Sequence, residues 1–181
     1  MKHSIIKTNI LLLVMLYCIA VGVDVQAAGS IETAGDVLMI ALPTAAAGLT
    51  LGFRDGQGAL ELGKSVALIL GVTYGLKFSI DEKRPNGDNQ SFPSAHASIS
   101  FGSAEFMRKR YGWNYGIPAY VAATFVAYSR VNSDQHYTRD VIAGAAIGIV
   151  SGYLFTEPYK GWHIQSDVDH AHYGVRLTRS W

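Results

Sequence analysis

Short polar blocks break this chain into uncharged or nearly uncharged runs, each too long for an ordinary strand. Val37 to Phe53 holds 17 residues without a charge, and Tyr111 to Ser129 holds 19. Ala59 to Ile80 is apolar apart from Glu61, Lys64 and Lys77. Ala97 to Arg110 follows, and Val141 to Thr156 is again uncharged. Strands seldom exceed about ten residues, so these lengths predict helices of about three to five turns. The expected fold class is therefore all-α, a helical bundle of about five core helices. Pro43 falls inside the first run and marks a place for a kink.

At 181 residues the chain suits one domain with a buried core, and its net charge of +1 gives no field that would draw nucleic acid. Lys2 and Lys7 form a basic start, Ile10 to Val23 is an apolar run of 14 residues, and Val25-Gln26-Ala27 offers a cleavage site. These features predict a signal peptide over 1–27 and a mature domain over 28–181, with a helical core at about 36–156 and a tail at 157–181. An uncleaved anchor helix is the alternative, although the run is short beside the roughly 20 residues of a bilayer span. Either way the chain is exported. Cys18, the only cysteine, lies in that run and reads as hydrophobic filler, so the mature chain has no disulfide or thiolate chemistry. Without Lys2, Lys7 and Asp24, the 15 basic and 14 acidic residues fall to 13 of each. Stability must then come from packing or from a membrane.

Small residues at Ala45 to Gly48 and at Gly144, Ala145, Ala146 and Gly148 suit close helix packing in lipid, and equally in a soluble bundle. Topology adds a constraint. If the polar blocks after Lys77, before His96 and after Ser129 share the exported face, five helices alternate across a membrane. Arg54 and the triplet Arg108-Lys109-Arg110 then fall on the cytoplasmic side, as the positive-inside tendency expects. This favours an integral membrane protein over a soluble or peripheral exported bundle. From Trp162 the tail alternates loosely with period two, and a small C-terminal β-hairpin is expected. His163, His170 and His172 read as solvated tail residues; as a metal cluster they lack a completing carboxylate or cysteine.

The polar blocks carry the chemistry. Lys77 and Arg84 are seven residues apart, but Pro85 disfavours helix at Arg84, which is expected on a loop bending back towards Lys77. Lysine offers phosphate a point charge and arginine a bidentate fork. Alone, the pair is also what a helix end decorated with cations looks like. Pro93-Ser94-Ala95-His96 opens the next helix, where the Ser94 hydroxyl and the first backbone N–H groups suit an anion. Ser91 and Ser94 as simple caps is the plainer reading. His136 and Asp140 are separated by four and would share a helix face, the carboxylate holding one ring nitrogen and leaving the other to attack. A surface pair that merely supports the helix is equally compatible with that spacing. Two arginines, a lysine, two histidines and an aspartate suffice to hold and break a phosphate ester, since that chemistry is mostly positioning and electrostatics.

Their order and spacing resemble the phosphatidic acid phosphatase type 2 / vanadium haloperoxidase superfamily, whose signature is K-x6-R-P, then P-S-G-H, then S-R-x5-H-x3-D. The resemblance runs from Lys77 to Asp140. It implies His136 as the nucleophile forming a phosphohistidine, Asp140 as its orienting group, and His96 as general acid and then as assistant to water. It implies phosphate binding by Lys77, Arg84, Arg130 and Ser94, with the backbone amide of Ala95, and no metal or other cofactor. Ala95 departs from the usual glycine, which would be penalised at a positive φ.

The activity so implied is hydrolysis of a phosphate monoester or pyrophosphate of a membrane lipid. Undecaprenyl pyrophosphate, phosphatidate, phosphatidylglycerol phosphate and lipid A are the family's candidates. The expected setting is a bacterial envelope membrane with the site facing the periplasm, or the periplasm itself. A soluble broad-specificity acid phosphatase is the second reading. A vanadium haloperoxidase is a third, disfavoured because those relatives are much larger. A non-catalytic phospholipid-binding protein would need the charged positions to be degraded, and they are intact.

Overall fold

The computed structural model describes residues 29–159, 161–169 and 172–180; the expected signal segment lies outside the described residues. Among the described residues, five helices run in order: α1 (Gly29–Gly52), α2 (Gly56–Ile80), α3 (Ala95–Tyr111), α4 (Trp113–Asn132) and α5 (Thr138–Phe155). The all-α bundle is thus as expected, and so is the hairpin. Strands β1 (Gly161–Asp169) and β2 (His172–Ser180) pair antiparallel, from Gly161 opposite Ser180 to Asp169 opposite His172. Of the tail histidines, His170 lies outside the described residues.

Two helix boundaries differ from expectation. Helix α1 starts eight residues before Val37, because a charge ends an apolar run without ending a helix. Glu32 sits in its first turn, where a carboxylate favours the helix dipole. The helix also runs through Pro43 rather than stopping there. Tyr111 closes α3 instead of opening α4, since Gly112 turns the chain between them at φ 95°.

Helix α3 is the centre of the bundle and packs against α1, α2, α4 and α5. Phe106 and Met107 on α3, Leu42 and Ala46 on α1, Leu62 on α2 and Ala123 on α4 form the buried core. Each large side chain buried there contributes about 1.5–3 kcal/mol. The α3–α5 seam is closer than any side chain would permit. A Cβ on Gly144 would fall 2.4 Å from the Ser94 carbonyl oxygen, and one on Gly148 would fall 2.3 Å from that of Ser98. The other small-residue patch is split: Ala46 is buried, while Gly48 faces open space.

Because the helices alternate in direction, the ends of α2 and α4 meet the starts of α1, α3 and α5. The opposite end is closed by a buried ion cluster. Arg110 donates to both Asp55 oxygens at 2.6 and 2.7 Å and to Glu61 at 3.2 Å, and Tyr111 donates to Asp55 at 2.9 Å. That bidentate geometry compensates the burial of the charges. The outer wall of the bundle is apolar: Ile40, Leu51, Phe78, Val121, Ile142 and Leu154 are each more than 60% exposed. Three of the described helices, α1, α2 and α5, are long and apolar enough to cross a membrane. Helix α4 is not among them despite its uncharged run, since tyrosine, asparagine and glycine dilute its hydropathy.

Candidate active site

Lys77 lies in the last turn of α2 and is buried, its Nζ donating to the Gln90 carbonyl at 2.5 Å. Helix α2 stops at Ile80, where Asp81 takes a left-handed conformation and its N–H returns to the Lys77 carbonyl. Arg84 is therefore on the loop, as expected. Its Nε donates to the Asn89 carbonyl at 3.2 Å and its Nη1 to Gln135 Oε1 at 2.9 Å. The loop thus ties the end of α2 to the α4–α5 turn.

The next block opens α3. Ser94 is its N-cap and is fully buried, with Oγ accepting from the Ala97 N–H at 3.4 Å. The Ser94 N–H donates to the Asp140 carbonyl at 3.0 Å, so it is not one of the amides open to an anion, contrary to expectation. Glycine at 144 is what lets the two helix starts approach this closely. Ala95 is the first helical residue and is not among the positive-φ positions, so its methyl carries no backbone strain. The Ala95 and His96 amides stand at the helix N-terminus, where the dipole favours an anion.

His136 and Asp140 meet, but not along one helix face. His136 precedes α5 in the turn after α4, where its N–H donates to the Arg130 carbonyl at 3.1 Å. Asp140 is inside the first turn of α5 and accepts from the Tyr137 N–H at 3.1 Å. His136 Nδ1 lies 3.6 Å from Asp140 Oδ2. The same oxygen accepts from Ser91 Oγ at 2.5 Å. Among the described residues, His136 Nδ1 and Asp140 Oδ1 are buried without a hydrogen-bond partner. Burial, followed by the charges of Lys77 and Arg84, pushes the His136 imidazole down to about 4, which leaves it neutral near pH 7.

Three further residues, Asp36, Glu32 and Gln135, reach the site, and Ser91 reaches it in a role other than the simple cap expected of it. Asp36 Oδ1 lies 3.0 Å from His96 Nε2 and 2.8 Å from Arg130 Nη1. Glu32 receives Arg130 Nη2 on its carbonyl at 2.6 Å and Gln135 Nε2 on its side chain at 3.0 Å. Ser91 clasps Asp140 rather than capping a helix. Asp36 and Glu32 lie far from every motif in the sequence, and Gln135 is only a polar neighbour of one. The structure brings Lys77, Arg84, Ser94, Ala95, His96, Arg130, His136 and Asp140 to one end of the bundle. Among the described residues, no group of three or more His, Cys, Asp or Glu side chains is gathered to hold a metal ion.

The family model of the PAP2 superfamily matches residues 78–164. The lipid A 1-phosphatase of Porphyromonas gingivalis is 35% identical over 94 residues, 49% of this chain and 21% of that protein. The lipid A 4'-phosphatase of Bacteroides thetaiotaomicron is 40% identical over 73 residues, 38% of this chain and 31% of that protein. The chain thus spans a fifth to a third of the length of these two relatives. The crystal structure of Aquifex aeolicus LpxE superposes with a TM-score of 0.54 at 21% identity, covering 66% of this chain and 83% of that one. At that identity the likeness is one of fold.

Proposed function

We propose that the chain is a member of the PAP2 superfamily and a membrane lipid phosphatase acting through a phosphohistidine. The observation that carries this reading is the convergence of three cations, two histidines and a buried carboxylate at one end of an apolar bundle. Lys77, Arg84 and Arg130 hold the phosphate oxygens, with the Ser94 hydroxyl and the Ala95 amide beside them. Neutral His136 faces Asp140 through Nδ1, so Nε2 is the atom that attacks phosphorus. As the P–O ester bond breaks, His96 gives its proton to the leaving oxygen. Water then attacks the phosphohistidine, His96 takes the water proton, and phosphate and free His136 result. Asp140 stabilises the imidazolium that carries the phosphoryl group, and Ser91 fixes the Asp140 carboxylate.

The apolar outer wall supports a membrane setting, and the names of the two curated relatives support lipid A or a similar lipid phosphate as substrate. The site end is proposed to face the periplasm, with Arg54 and Arg108 to Arg110 on the cytoplasmic side. The test is phosphate release by detergent-purified protein from micelles of lipid A, phosphatidate, phosphatidylglycerol phosphate and undecaprenyl pyrophosphate. Release from one or more, lost on His136→Ala, is expected. No release from any would sink the lipid assignment.

A further inference from the structure

Helix α1 lies outside the residues matched by the family model, yet its first two turns press against the site. A Cβ on Gly35 would fall 2.0 Å from Ser129 Oγ and 2.8 Å from Arg130 Nη2, so only glycine lets the α1 backbone come this near. The contact orients Arg130 completely. Its Nε donates to Ser129 Oγ at 3.1 Å, its Nη2 to the Glu32 carbonyl at 2.6 Å, and its Nη1 meets Asp36 at 2.8 Å. Gln135 extends the same network, joining Glu32 to Arg84. Asp36 is half-exposed, with 48% of its side chain open. A single oxygen of that carboxylate serves both His96 on α3 and Arg130 on α4.

We propose that Asp36 is a positioning residue of the active site, holding His96 as the proton donor to the leaving group and fixing its distance from Arg130. The inference rests on the phosphatase reading above. With Asp36 accepting from Nε2, the His96 ring is turned so that Nδ1 is the atom left for the leaving oxygen. When His96 gives up its proton, the Asp36 carboxylate keeps the remaining N–H on Nε2. When His96 takes a proton back from water, the same carboxylate stabilises the imidazolium. An exposed ion pair ordinarily contributes little. This one differs because Arg130, its second partner, is buried and held on every nitrogen, so forming the contact costs little freedom. Among the described residues, the charged and titratable groups around His96 are Asp36 on α1, Arg84 on the α2–α3 loop, Arg130 on α4 and the neutral His136 in the α4–α5 turn. Asp36 is the one anion among them.

The experiment pairs Asp36→Asn with Asp36→Glu in the full chain. A poor alkoxide leaving group needs a proton, whereas nitrophenolate does not. In Asp36→Asn, kcat/KM on an alkyl phosphate such as phosphatidate, which reports only the steps up to departure of the leaving group, should fall at least about tenfold, with kcat/KM for p-nitrophenyl phosphate changed less than about threefold. Histidine-labelled protein in detergent, with His96 assigned by His96→Gln, should show the His96 titration moved down by about one pH unit in the Asn variant. It should stay near the wild-type value in Asp36→Glu. Equal losses on both esters, an unmoved His96 titration, or a Glu variant altered like the Asn variant would each overturn the proposal. If the wild type hydrolyses neither ester, the phosphatase reading fails, while the titration still decides whether Asp36 governs His96.

Discussion

His136 Nδ1 lies 3.6 Å from Asp140 Oδ2 although the two residues do not share a helix. The turn after α4 brings the imidazole up to the first turn of α5, and Ser91 from the α2–α3 loop grips the same carboxylate oxygen at 2.5 Å. Three separate segments therefore build what looks in sequence like a local pair.

Ser91→Ala removes that grip and leaves the buried Asp140 carboxylate short of a donor. A hydrogen bond to a charged group is worth about 1.5–3 kcal/mol, so kcat should fall at least about tenfold. KM should move little, because Ser91 touches the orienting carboxylate and not the phosphate. Steady-state kinetics on the best lipid substrate checks this; an unchanged kcat would remove Ser91 from the site.

Gly144→Ala should separate the helix starts that carry Ser94 and Asp140. The added methyl would lie 2.4 Å from the Ser94 carbonyl oxygen, and such overpacking costs about 1–3 kcal/mol. A lower melting temperature and a lost phosphatase rate are expected together. Gly48→Ala, which meets nothing within 4 Å, is the control: the rate should hold and the melting temperature should stay or rise slightly, since alanine favours a helix interior.

If His136 is the nucleophile as proposed, it sets the acid limb. Its imidazole is held down to about 4 by burial and by the Lys77 and Arg84 charges, so the free protein keeps a neutral nucleophile well below pH 6.5. The acid limb of kcat/KM should accordingly extend towards pH 4, as a pH–rate profile would show. Stability carries the opposite side of the same linkage. Between the unfolded value of about 6.5 and the folded one, the unfolded chain binds the proton first, so stability falls as pH drops through that window. His136→Gln should flatten that part of the melting curve against pH.

Ala95→Gly should leave activity equal or modestly higher. Ala95 already has a helical backbone, so glycine relieves no strain there, and only the methyl beside the phosphate is removed. A marked loss of phosphate release in this variant would mean that the methyl supports the site.

Orientation can be read by labelling. In a Cys18→Ser background, a cysteine at Lys83 on the site end should react with a membrane-impermeant maleimide in intact cells with a permeable outer membrane. One at Asn114, at the opposite end, should react only after lysis. The reverse pattern would turn the protein over in the membrane.

Much of the site was legible because its signals are local. Lys77 at a helix end, a proline forcing Arg84 onto a loop, and a serine capping α3 all follow from short-range backbone rules. Asp36, Glu32, Ser91 and Gln135 were not legible for the same reason. Each acts across 49 to 103 residues of chain, and nothing near them in sequence names the partner. An uncharged run that begins at Val37 does not reveal the start of α1 at Gly29, because Asp36 lies within the helix and meets His96 and Arg130.

By itself the sequence determined the helix number, the hairpin and the chemical inventory, because apolar run length and motif spacing are properties of neighbouring residues. Tertiary structure alone decided that α3 is the central helix, that Gly35 and Gly144 bring backbones into contact, and that α1 supplies an anion between His96 and Arg130. These depend on which helix faces meet, and that is settled by close packing of the whole bundle rather than by any one segment.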